Sequence, residues 1–126
     1  MDIERQERGN ITVVVLTGDF DFHDVARATE AIGPFLEKGV HRVVFDLKGL
    51  GFISSGGIGF LIQTAKRLRA LGGDVALASP PAAFGWIAET LGIDRVFRIF
   101  PEAEAAVAHL RDAPAAPRGS PPQASS

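Results

Sequence analysis

The chain has 126 residues, 46% of them hydrophobic, which is enough for one packed domain and too few for two. A formal net charge of -2, with lysines and arginines scattered and no basic block beyond Lys66-Arg67, excludes an electrostatic footprint for nucleic acid. The absence of cysteine removes disulfides, thiolate nucleophiles and Cys-based zinc sites together.

No apolar run approaches the ~20 residues of a membrane span, and the polar start Met1-Asp2-Ile3-Glu4-Arg5 is unlike a signal peptide. A cytoplasmic protein without membrane association is expected. Residues 3–8 read as a polar edge strand, and Gly9-Asn10 as the hairpin turn into a β-branched strand over 11–16 that Gly18 ends. Val25, Ala28, Ile32, Phe35 and Leu36 recur at helical spacing, with Asp24 as a cap and Gly39 as a stop. Residues 43–47 form a short apolar run suited to a buried strand.

Next, Ile58, Leu61, Ile62, Ala65, Leu68 and Leu71 define one buried face of a central helix. That helix opens at Ser54-Ser55-Gly56-Gly57 and closes at Gly72-Gly73. Lys66, Arg67 and Arg69 lie on its other faces in the last turns, where cations complement the helix dipole. A strand over 74–78, a helix over about 82–91, a strand over 95–99 and a helix over 101–110 complete the order. Residues 1–111 are thus one domain. Residues 112–126, rich in Pro, Ala and Ser and without a large apolar side chain, read as a flexible tail.

Strands alternating with helices imply an α/β fold: a mostly parallel central sheet, an antiparallel N-terminal hairpin at its edge, and about four helices. In such sheets functional residues gather beyond the carboxyl ends of strands. Two loops leave strands that way, over 18–23 and 48–56. Neighbouring strands would place both at one end of the molecule.

At the second loop the glycines leave room for a partner's backbone, and free helix amides favour a negative group, so a phosphate on Ser55 would be partly stabilised there. The alternative is a capping role for Ser54 or Ser55, worth roughly 1 kcal/mol. Enzymatic patterns are missing: there is no G-x-S-x-G elbow, no Lys-bearing P-loop and no third glycine of a dinucleotide fingerprint. A hydrolase or weak metal site would have to be built around His23 with Asp21 and Asp24, and three polar residues leaving a strand are more simply a solvated loop. No enzymatic activity, cofactor or metal is expected.

Three segments carry a resemblance. Leu16-Thr17-Gly18-Asp19-Phe20-Asp21 resembles the first-loop pattern of the STAS domain family, named for sulfate transporters and anti-sigma factor antagonists. The run from Val43 through Asp46 and Gly49 to Ile53 is similar to that family's central strand and loop. Ser54-Ser55-Gly56-Gly57-Ile58-Gly59 falls where the family has Asp-Ser-Ser-Gly-Leu-Gly or Ser-Ser-Ala-Gly. The likeness spans about residues 1–110 and is nearest to the small bacterial antagonists. It implies a protein that binds an anti-sigma factor serine kinase when unphosphorylated, is switched off when the kinase phosphorylates one serine, and is reset by a serine phosphatase. Aligned on Gly57, the acceptor is Ser55, with Asp21, Ser54, Gly56 and Gly57 in the partner-binding region. The family's Asp before the acceptor is Ser54 here, and Asp21 aligns with its other nearby acid. The alternative within the family is a subunit of a larger signalling or lipid-transport assembly without a phosphorylation switch. A monomer or weak dimer is expected, since no long exposed apolar patch follows from the periodicity.

Overall fold

The second strand shows how the sheet acquires two covered faces. Val14 and Leu16 point to one side, and Ile11 and Val13 to the other, and all four are buried. In the computed structural model, which describes residues 1–37, 42–81, 84, 90, 92 and 97–112, this strand is β2 (Ile11–Phe20). It pairs antiparallel with β1 (Asp2–Arg8) through the Gly9-Asn10 turn, and parallel with β3 (Arg42–Ile53). β4 (Asp74–Ala78) and β5 (Arg98–Phe100) continue in parallel, giving the order β1-β2-β3-β4-β5. The expected mixed α/β sheet with its antiparallel hairpin edge is therefore present.

Helices α1 (Val25–Glu37) and α2 (Ser55–Ala70) cover one face. Their Ala28, Ile32, Leu61 and Leu68 pack with Val14, Leu16, Phe45 and Leu77 in the larger core. The third described helix, α3 (Ala103–Asp112), covers the other face, where Ala106, Val107 and Leu110 meet Ile11, Val13, Val44, Ala76 and Ala78. The small alanines of β4 let α3 sit close to the sheet. Arg42 ties the layers by donating from Nη1 to the Leu110 carbonyl (2.8 Å), and Arg8 of β1 pairs with Glu104 of α3 (2.6 Å). No described helix is long and apolar enough to cross a membrane.

Two strands run beyond their expected bounds of 11–16 and 43–47. β2 continues through Gly18 to Phe20, with register shifts around Thr17 and between Gly18 and Asp19. Gly18 adopts φ +91°, a conformation other residues rarely take, and so absorbs the irregularity without ending the strand. β3 continues past Leu47 to Ile53. A Cβ on Gly49 would lie 2.5 Å from Thr17 Cγ2, so this glycine marks close strand contact and no turn. β3 pairs with β2 to its end but with β4 only over its first five residues, Arg42 to Asp46.

The lead into α1 also differs. A single 3-10 turn, Phe22–Asp24, precedes the helix, and its cap is Asp21; Asp24 closes the same capping box from the third position. α3 begins two residues after Pro101 and reaches Asp112. Most of the helix expected over 82–91, the stop at Gly39, the first part of the strand expected over 95–99, and the tail from 113 onward lie outside the described residues.

Candidate functional site at the head of α2

β2 and β3 are parallel neighbours whose last residues, Phe20 and Ile53, are register partners. Both loops therefore emerge at one end. The Ser54 amide joins them by donating to the Phe20 carbonyl (2.8 Å). Ser54 itself is extended (φ -80°, ψ 168°), and its Oγ accepts from the Gly57 amide at 3.1 Å. Its carbonyl receives the first helical bond, from Ile58 (3.0 Å). Ser54 is thus the helix cap.

The two serines consequently have different situations. Ser55 is the first helical residue, its side chain is exposed, and its hydroxyl makes no hydrogen bond among the described residues. The cap takes Gly57 N, which leaves the amides of Ser55 and Gly56 without an intrahelical partner. An exposed nucleophilic oxygen stands at the positive end of a 16-residue helix.

The glycines beside it are occupied from within the chain. A Cβ on Gly57 would lie 2.9 Å from Ile53 Cγ1 and 3.0 Å from the Phe20 ring; one on Gly56 would lie 2.9 Å from Phe22 Cβ. Their task is to let β2, β3 and the 3-10 turn close against the helix head. That differs from the room for a partner expected of them, and Gly57 is buried. Gly59 is the exception, since a Cβ there meets nothing within 4 Å among the described residues.

Asp21 is exposed, and its Oδ1 accepts from the Phe22 amide (2.6 Å). Asp24 Oδ2 accepts from the Asp21 amide (3.0 Å), and Asp24 Oδ1 pairs with Arg27 Nη2 (3.1 Å); Arg27 also donates to the Met1 carbonyl. The backbone bond first, and then Arg27, hold the Asp24 carboxyl below the usual carboxylate range. The His23 ring lies against Phe22, with centroids 4.3 Å apart. These acids are engaged in folding the turn. Among the described residues, no three His, Asp or Glu side chains cluster as a metal site would require.

Two phenyl rings escaped the sequence reading. Phe22 is 63% and Phe52 53% exposed. Phe22 is embedded in the polar run Asp21-Phe22-His23-Asp24, and that setting was the available signal. Phe52 falls on a part of β3 that sequence assigned to a loop. Phe22 lies against Gly56, next to Ser55, and Phe52 sits two residues before the cap Ser54. The α1–α2 groove and a cleft lined by Asp46, Lys48, Ser79 and Glu102 contain none of Asp21, His23 or Ser55.

A family model for the STAS domain matches residues 2–106. Solved structures with the same fold include a Thermotoga maritima protein proposed as an anti-sigma factor antagonist (TM-score 0.82, 18% identity, covering 86% of this chain and 94% of that one). Another is an anti-sigma factor antagonist from Mycobacterium paratuberculosis (0.80, 22%, 88% and 94%). A third is the Bacillus cell fate determinant SpoIIAA in its phosphorylated form (0.72, 20%, 87% and 100%). Likenesses at such identity establish the fold, and with the family match over most of its length the chain belongs to the STAS domain family.

Proposed function

We propose that this protein is an anti-sigma factor antagonist: unphosphorylated, it binds an anti-sigma factor serine kinase; phosphorylated at Ser55, it lets go; a serine phosphatase restores it. The observation that carries the reading is the division of labour between the serines. Ser54 does the capping, so Ser55 is free to accept a phosphoryl group without unmaking the helix. In the transfer, Ser55 Oγ forms the new P–O bond to the γ-phosphorus of the kinase's ATP, ADP leaves, and the hydroxyl proton passes to a base on the kinase. This chain supplies the acceptor and no catalysis.

Electrostatics supplies the switch. The phosphate adds about −1.5 to −2 charges. It does so beside the exposed phenyls that a partner would have to desolvate and close to Asp21, while the helix amides keep the modified state folded. The family's acid before the acceptor is replaced by Ser54, and both residue types cap helices well, so the acceptor's presentation is retained. The SpoIIAA structure in its phosphorylated form supports a phosphorylated state of this fold.

The test is incubation with the anti-sigma kinase of the source organism and ATP, followed by mass spectrometry of the peptide containing Ser55. Phosphate on Ser55, with at least tenfold weaker kinase binding by Ser55→Asp, is expected. No complex and no phosphate, with stable co-purification on a non-kinase partner, would replace this reading with that of an assembly subunit.

A further inference from the structure

Between α1 and α2 runs a groove of about 310 Å³, bounded by Val25, Thr29 and Ile32 on one side and by Gly59, Phe60 and Arg67 on the other. It begins at Gly56, next to Ser55, and Arg67 stands three turns further along α2, about 16 Å away at 1.5 Å per residue. Its floor is apolar, since Phe60 and Ile32 are buried beneath it. Arg67 is exposed and makes no ion pair or hydrogen bond through its side chain among the described residues.

Gly59 is the informative residue. Glycine is a poor helix former, and at positions 56 and 57 packing within the chain explains it. At 59, as at Gly33 of α1, a Cβ meets no atom of the described residues within 4 Å, but of the two only Gly59 lines the groove. A residue that keeps the groove open at that cost, in a wall shared with a cation that has no side-chain partner among the described residues, fits an occupant from outside the chain with an apolar face and a negative charge.

We propose that this groove is a second docking site for the kinase that reads Ser55, occupied by an amphipathic kinase helix that seats apolar side chains over Gly59 and a carboxylate on Arg67. The mode is helix-in-groove recognition, with anchors spaced along the partner helix. The assignment rests on the proposed function, because continuity with the Ser55 surface is what points to the kinase. Docking so far from the acceptor contributes equally before and during phosphoryl transfer. Its loss therefore raises KM and leaves kcat unchanged.

The test uses the full chain with Gly59→Leu, which puts a side chain into the groove at a position whose Cβ meets no described atom within 4 Å, and Arg67→Glu, which breaks no side-chain bond within the described residues. Binding and phosphorylation by the kinase are measured for both, beside Ser55→Asp. At least tenfold weaker binding by Gly59→Leu and several-fold by Arg67→Glu, carried in KM at constant kcat, is expected. Wild-type binding with both variants within twofold of it overturns the groove assignment and leaves the Ser55 reading intact. No binding or phosphorylation of the wild type overturns both. Two further results, each with kinase affinity unmoved, also overturn it: self-association that Gly59→Leu abolishes, which assigns the groove to a second copy, and decanoate-induced shifts of the Gly56 and Gly59 amides in an NMR titration, which assign it to a small amphiphile.

Discussion

Exchanging the two serines one at a time separates cap from acceptor. In Ser54→Ala the Gly57 amide loses its acceptor at 3.1 Å, and Gly57 is packed beneath Phe20 and Ile53 where water has poor access. The loss belongs in the upper part of the capping range, about 1.5 kcal/mol. For a domain of this size that is a fall in Tm of roughly 6 °C. Ser55→Ala removes an exposed hydroxyl with no hydrogen bond among the described residues and changes stability by less than about 0.5 kcal/mol. Ser54→Asp keeps the cap and adds a charge at the helix head, so it equals the wild type or exceeds it by about 0.3–1 kcal/mol. Urea unfolding followed by far-UV circular dichroism measures all three, with equal m-values as the control. If Ser55→Ala loses more than Ser54→Ala, the assignment of roles is wrong and the argument for a free acceptor fails with it.

The glycines of α2 provide a second contrast. Gly57→Ala forces a methyl to within 3.0 Å of Ile53 and is expected to destabilise by about 1–3 kcal/mol, whereas Gly59→Ala stabilises by up to about 1 kcal/mol, both readable in the same unfolding assay. Asp24 gives a pH signature. Its carboxyl is held low in the folded state, so its contribution is complete above the unfolded value of about 4 and is lost as pH falls through the folded one. The stability advantage of the wild type over Asp24→Asn is therefore constant from neutral pH to mild acid and shrinks below about pH 4, as thermal melts across that range will show. The Arg8–Glu104 pair is exposed, so Arg8→Ala is expected to shift Tm little, and the shift disappears in high salt.

The alternation of Ile11, Val13, Val14 and Leu16 and the spacing of Ile58, Leu61, Ala65 and Leu68 made the sheet and its central helix legible, because burial on a pleat or helix face imposes those periods. The spacing of the three family segments located the serine loop. What escaped was set by contacts between distant residues. Residues 48–53 look like a loop until Thr17 is placed against Gly49, and Gly56 and Gly57 look like room for a partner until Phe22, Phe20 and Ile53 occupy it. Two adjacent serines are equivalent to any local rule; the bond from Ser54 N to the Phe20 carbonyl decides which of them is extended and caps. Asp24 lost the cap to Asp21 because the helix is entered through a 3-10 turn, which apolar periodicity does not register.

The unequal pairing of β3 has a mechanical consequence. Over Val43 to Asp46 the strand is held from both sides, but from Leu50 to Ile53 its pairing among the described residues is with β2 alone, so Ser55 is carried at the tip of a two-stranded ribbon extending past the five-stranded sheet. Separating that ribbon breaks one ladder where the sheet's centre would require two. Its amides accordingly belong among those that exchange with solvent through local opening, and those of Val43 to Phe45 among those that exchange only when the whole domain unfolds. A charge added at the tip thus falls on an element held by fewer backbone bonds than the sheet's centre and anchored to the core through Phe20, Leu50 and Ile53.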